Sequence, residues 1–136
     1  MEDCIFCKIV DGKIPTAKIY ENDKVISFLD IMPANKGHCL VVPKNHAQTL
    51  TEMSDDDLEA TIKAAKKVAR ALSLSFGNGS FNLVMNNGKE AGQLVSHAHM
   101  HIIPRFQKDR LRIKWSHVKY EEDEIKEYAE KIKKFI

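Results

Sequence analysis

No apolar run in this chain approaches the roughly 20 residues needed to cross a bilayer, and its first residues, Met1-Glu2-Asp3, are acidic with no apolar stretch behind them. Neither a membrane partner nor an export address is expected. The chain also lacks an excess of either charge: 21 Lys plus Arg against 19 Asp plus Glu give a formal net charge of +2. So small a surplus makes an electrostatic nucleic-acid binder an unsuitable reading, and no nucleic-acid partner is expected. Cysteine is scarce: three residues, an odd number, cannot form a complete disulfide framework. They point instead to a reducing compartment, the cytoplasm, with thiols that are buried or metal-bound. No internal repeat, low-complexity segment or linker interrupts the sequence, so residues 1–136 are read as a single domain.

What the chain does have is punctuated periodicity. Lys24 to Leu29 alternates as a strand, closed by a Pro-containing turn from Asp30 to Gly37, and His38 to Val42 is a second apolar run stopped by Pro43. Ser54 stands as an N-cap with Asp57 at N3. Leu58, Ile62, Ala65, Ala69 and Leu72 then repeat at helical spacing up to Gly77, a C-terminal stop. Phe81 to Met85 and Leu94 to Ile103 read as paired strands, and Ile125, Tyr128, Ile132 and Phe135 mark a short amphipathic C-terminal helix. These elements predict an α+β fold, an antiparallel sheet under one long central helix with a second helix at the C-terminus.

Within the last strand, His97, His99 and His101 alternate with Ala98 and Met100 before Ile102, Ile103 and Pro104. Residues two apart on a strand share a face with a spacing of about 6.7 Å, twice the strand rise. Three imidazoles would therefore stand in a row. Histidine titrates nearest neutrality, so such a row can supply nucleophile, base, acid or metal ligand. One open reading is a catalytic metal site built on two of these histidines; the bland one is a solvent-facing strand. Cys4-Ile5-Phe6-Cys7 has the spacing of a zinc half-site, with a redox pair as the alternative. Cys39, alone in an apolar run, reads as a buried free thiol, and His117 as a surface residue.

The triad resembles the signature of the histidine triad (HIT) family of nucleotide hydrolases and transferases. Phe28-Leu29-Asp30-Ile31, Pro33, Gly37 to Lys44 with His46, and Asn86 through Gly92-Gln93 into His97 resemble the family's other blocks in the same order. The resemblance runs from about Cys4 to Arg105 and implies a roughly five-stranded antiparallel sheet, commonly doubled in a homodimer. It implies His99 as the nucleophile that forms a nucleotidyl-histidine, with His97 orienting it. His101, Asn86 and Gln93 would contact the phosphate or assist the leaving group. Asn86 also reads as a plain turn residue before Asn87-Gly88. For a purine nucleotide substrate it implies Ile5, Phe6, Ile9, Phe28 and Ile31 as an apolar slot for the base, residues that otherwise read as core. Asp30 would accept hydrogen bonds from the ribose hydroxyls, as an acceptor-only carboxylate suits a vicinal diol. It further implies one structural zinc per chain on Cys4, Cys7, His46 and His97, a closed ligand set.

His38 resembles a family histidine near the active site, with a turn or surface role as the alternative. Two departures bear on the leaving group: Leu94 stands where the family's phosphoramidases place a hydroxyl, and the C-terminal segment differs from theirs. The activity implied is hydrolysis of nucleoside 5′-phosphate derivatives, phosphoramidates or mixed anhydrides. Dinucleoside polyphosphate hydrolysis is one alternative, and a nucleotide-binding interaction module with incidental activity is the other.

Overall fold

Five short strands pair antiparallel into one sheet in a computed structural model that describes residues 3–136. Met1 and Glu2, part of the acidic start noted above, lie outside the described residues. The strands are β1 (Lys18–Glu21), β2 (Val25–Leu29), β3 (Cys39–Pro43), β4 (Phe81–Val84) and β5 (Met100–Pro104), in the order β1-β2-β3-β5-β4. Three α-helices accompany them: α1 (Ile5–Val10), α2 (Asp55–Phe76) and α3 (Glu124–Lys133). The five-stranded sheet, the long central helix and the C-terminal helix agree with the sequence reading. Both α1 and β1 are additional, each too short to develop a period of its own.

The alternation of side chains decides which face carries what. Val25, Cys39, Val41, Met100 and Ile102 point to the face covered by α2, where Ala64, Ala65, Val68 and Ala69 complete the main core. Ile26, Phe28, Leu40 and Val42 point to the other face and pack with Phe6 and Ile9 of α1. Burying these two side chains of α1 is worth about 1.5–3 kcal/mol each before ordering costs. The helix α2 begins where expected, with the Ser54 hydroxyl accepting the Asp57 N–H at 3.1 Å, and ends at left-handed Gly77. Its buried stripe is shifted from the expected one: Ile62 is 42% exposed, and the small residues at 64, 65, 68 and 69 let the helix approach the sheet. Gly37, at φ +96°, lies under Phe76, whose ring would be 2.7 Å from an added Cβ, so this turn accepts no side chain.

The segment Leu94 to Ile103 is a correction to the sequence reading, since β5 starts only at Met100. Pro43, the end of the neighbouring strand, has no N–H to donate, and its carbonyl oxygen lies 2.8 Å from His97 Nε2. The His97 carbonyl is in turn engaged by the His99 ring at 2.7 Å. Polar groups that would extend the ladder are thus spent on side chains. His97 lies at a bend and His99 in the irregular stretch before the strand, and His101 within it. Toward the C-terminus, α3 buries none of its residues, and Ile125, Tyr128, Ile132 and Phe135 are all exposed.

Candidate active site and metal clasp

Because Met100 and Ile102 face α2, His101 faces the opposite side of the sheet, where α1 brings Phe6 edge-on to His99 at 5.0 Å between ring centroids. His99 is buried, and its Nδ1 lies 2.7 Å from the His97 carbonyl oxygen. A carbonyl only accepts, so Nδ1 carries the proton and Nε2 keeps its lone pair. Burial also pushes the His99 pKa down, favouring the neutral ring that a nucleophile requires. The pinning of one nitrogen by the His97 backbone carbonyl is how His97 orients His99.

The proton on His101 follows from a longer chain of bonds. The backbone N–H of Ala34 donates to His38 Nδ1 at 3.0 Å, which obliges the neutral His38 ring to carry its proton on Nε2. That Nε2–H is 2.9 Å from His101 Nδ1 and donates to it, leaving the His101 proton on Nε2. His101 is therefore a donor beside His99, with ring centroids 4.9 Å apart. Burial, reinforced by the neighbouring His99 and His38, pushes the His101 pKa down to about 4. Burial lowers the His38 pKa as well, opposed by Asp30, whose Oδ2 is 3.6 Å from His38 Nε2. The sequence left His38 between a site and a turn role. The structure brings it to the triad, and the usable signal was its parity with Leu40 and Val42, which face α1.

On the far side of His97, four donors converge. Its Nδ1 is 3.3 Å from Cys4 Sγ, 3.6 Å from Cys7 Sγ and 3.1 Å from His46 Nδ1, while Cys7 Sγ and His46 Nδ1 are 3.5 Å apart. With Zn–N of about 2.0–2.1 Å and Zn–S of about 2.3 Å, tetrahedral geometry demands edges of about 3.3–3.8 Å. The Nε2–H of His97 is committed to the Pro43 carbonyl, so its Nδ1 presents a lone pair to this cluster. The donor set fits a closed zinc site. A second group, Asp30, His38 and His101, is also close enough to hold an ion. There the Ala34 N–H keeps the His38 proton on the nitrogen that would have to coordinate, so a proton and not a metal accounts for the geometry.

The remaining residues named by the sequence divide. Phe6, Ile9 and Phe28 are buried together, whereas Ile5 is 46% and Ile31 92% exposed, at the surface and not in an enclosed slot. Asp30 Oδ1 accepts the Met32 N–H at 2.9 Å, shaping the turn, and its carboxylate retains further acceptor capacity. The Gln93 amide is occupied: Oε1 accepts the Gly88 N–H at 2.8 Å, and Nε2 donates to the carbonyls of Gln48 and Val95 at 2.7 and 2.9 Å. It pins the loop before the triad. Asn86 is partly buried just beyond β4, at the start of that loop. Cys39 is a fully buried free thiol with its pKa pushed up to about 12 by burial, and His117 is exposed, as read from sequence.

Comparison with known proteins bears on this geometry. Residues 11–108 match the family profile described as the HIT domain. An HIT-like protein of Methanocaldococcus jannaschii is 50% identical over 116 residues, covering 85% of this chain and 89% of the relative. The adenosine 5′-monophosphoramidase hnt1 of Schizosaccharomyces pombe is 42% identical over 130 residues, 95% of each chain. Among solved structures, a member of the HIT family from Bacillus subtilis superposes with a TM-score of 0.92 at 41% identity, covering 98% of this chain and 97% of its own. A zinc-bound histidine triad family protein from Mycobacterium smegmatis superposes with a TM-score of 0.78 at 34% identity, covering 85% and 84%.

Proposed function

This chain belongs to the HIT family, and we propose that it hydrolyses nucleoside 5′-phosphate derivatives, phosphoramidates or mixed anhydrides with a purine base favoured, through a covalent nucleotidyl-histidine on His99. The observation that carries the reading is the 2.7 Å bond from His99 Nδ1–H to the His97 carbonyl, which leaves the Nε2 lone pair free to attack the α-phosphorus. His101 Nε2–H then stands beside the nucleophile as a donor for a phosphoryl oxygen or the leaving group. Water opens the phosphorus–nitrogen bond in a second step and releases the nucleoside monophosphate. The adenosine 5′-monophosphoramidase activity named for the S. pombe relative supports this substrate class.

Each further residue has a part in that reading. Phe6, Ile9 and Phe28 form the floor under the base, with Ile5 and Ile31 at its exposed rim, and Asp30 takes the ribose hydroxyls. Asn86 faces the phosphate, and Gln93 acts through the loop it pins. One zinc per chain on Cys4, Cys7, His46 and His97 would tie α1 to the strand that carries the nucleophile. Its closed coordination leaves no position for substrate. A homodimer is supported by the edge strand β4, whose Phe81 and Leu83 are 42% and 43% exposed beside the exposed Ile62 of α2. We place the protein in the cytoplasm, where its thiols stay reduced.

The test is a panel holding the nucleoside at adenosine and varying the group on the 5′-phosphate: amides, acyl anhydrides, sulfate and a second nucleotide through a polyphosphate. Digests quenched and kept in alkali, where a phosphorus–nitrogen bond survives, should carry adenylate on His99, with amides or mixed anhydrides turned over fastest. Preference for the polyphosphate-linked pair would make the dinucleoside polyphosphate reading correct. Binding of the monophosphate with negligible turnover of every member would make the protein a binding module.

A further inference from the structure

The metal clasp is partly open to solvent. Cys4, Cys7 and His46 are only partly buried, and a cavity of about 490 Å³ opens directly on Cys4 and His46 between Ile5 and Leu94. Leu94 is 94% exposed and closes nothing over it. The two thiols stand one helical turn apart, with Cys4 as the cap of α1 and Cys7 inside it, and their sulfurs lie within 4.8 Å of each other. A disulfide needs Cβ atoms about 3.5–4.5 Å apart, closer than the about 5–6 Å of an i, i+3 helical pair, and Cys4, the extended cap at φ −83° and ψ 116°, stands at the end of α1 where a backbone shift makes that approach while the rest of the helix stays wound. The Cys7 N–H already points at Cys4 Sγ from 3.4 Å.

We propose that Cys4 and Cys7 are a reversible oxidation site whose disulfide expels the zinc ion and switches the histidine site off. This rests on the zinc reading given above. A hydroperoxide entering the cavity is attacked by the Cys4 thiolate; the O–O bond breaks, sulfur takes one oxygen, and hydroxide leaves. The Cys7 thiolate then attacks that sulfenic sulfur and expels a second hydroxide. For hydrogen peroxide, two thiolates, one peroxide and two protons become one disulfide and two waters, the sulfurs losing two electrons that the peroxide gains. Disulfide sulfur carries no charge and holds zinc poorly, which leaves His46 and His97 as two neutral donors.

The route from clasp to site is short. His97 is the ligand whose carbonyl pins the His99 tautomer at 2.7 Å, and α1 carries Phe6, which abuts both His97 and His99 with ring centroids 5.8 and 5.0 Å away. Loss of the ion frees the His97 ring on one side and α1 on the other. The third thiol provides an internal control: Cys39 is fully buried in the main core, away from the cavity, and its Sγ faces the Ile102 carbonyl. Oxidation through the open cavity therefore separates Cys4 and Cys7 from Cys39.

The experiment uses the full, zinc-loaded chain titrated with hydrogen peroxide. Released zinc is followed with a chelating dye, and thiols by alkylation and mass spectrometry. One ion should appear for every two thiols lost, with a mass loss of about 2 Da, a linked Cys4–Cys7 peptide and Cys39 still alkylatable after denaturation. Turnover should fall about 10- to 100-fold in step, the loss typical of a disturbed supporting shell, and return with dithiothreitol plus zinc. Cys7→His, which keeps a donor but removes one thiol, should hold its ion at peroxide levels that empty the wild type. Zinc retained while thiols oxidise, release only with irreversible sulfinic acid, or oxidation of Cys39 ahead of the pair would each overturn the switch while leaving the zinc site intact. Protein that carries no zinc before peroxide is added would overturn the zinc reading and this inference with it.

Discussion

The carbonyl oxygen of His97 accepts the Nδ1–H of His99 at 2.7 Å, so the residue that belongs to the metal clasp also sets the protonation of the proposed nucleophile. Replacing His99 with Ala or Gly removes the attacking nitrogen and nothing that binds the nucleoside. Turnover should fall by about three orders of magnitude or more, with monophosphate affinity within a few-fold of wild type and no burst phase. A variant keeping a tenth of wild-type kcat in stopped-flow assays would exclude His99 as nucleophile.

His38 does not reach the nucleophile in this arrangement; it fixes the proton of His101 through the 2.9 Å bond between their rings. His38→Ala should lower kcat by about 10- to 100-fold with little change in KM, as expected for loss of an orienting partner. Nitrogen chemical shifts of His101 should report a mixture of tautomers in place of the Nε2–H form. An unchanged His101 tautomer would separate His38 from this role.

Acid should destabilise the fold through the same pair. Burial holds the His38 pKa below its ordinary 6.5 and His101 near 4, while the unfolded chain takes up protons at ordinary values. The unfolded state therefore binds more protons in that window, and stability falls as pH drops. Their contribution is intact above about pH 6.5 and drains away down to about 4. The melting temperature of His101→Gln should vary less with pH across this range than that of the wild type. Parallel curves would show that His101 titrates alike in both states.

Asp30 sits 3.6 Å from His38, with one oxygen shaping its own turn. Asp30→Asn keeps an acceptor and loses the charge that strengthens bonds to a ribose diol, so ribonucleotide affinity should fall about 10-fold. The preference for ribo- over deoxyribonucleotides in kcat/KM should shrink with it. An unaltered ratio would remove Asp30 from the sugar site.

Metal content offers an independent check on the clasp. Purified protein should hold about one zinc per chain, and Cys4→Ser or Cys7→Ser should lose it and melt earlier, because binding free energy of a structural ion is folding free energy. His99→Ala and His101→Ala should retain the ion in elemental analysis. Loss of metal from those two variants would instead describe a catalytic zinc on the triad.

Local chemistry determined much of this protein. Alternation made β2 legible and a continuous apolar run ended by Pro43 made β3 so, Ser54 and Gly77 bounded α2, and the spacing of the histidines and of Cys4 with Cys7 marked the two sites. These signals act within a few residues, through hydrogen-bond geometry and side-chain period, and so survive in one dimension. The tertiary structure alone decided what crosses the chain. It brings Cys4 to His97 over 93 intervening steps and His38 to His101 over 63. It also delays the start of β5 to Met100, because Pro43 and His97 spend on side chains the backbone groups a longer ladder would need. Which nitrogen of each histidine holds its proton depends on partners such as the Ala34 N–H and the His97 carbonyl, which only the folded chain brings into reach.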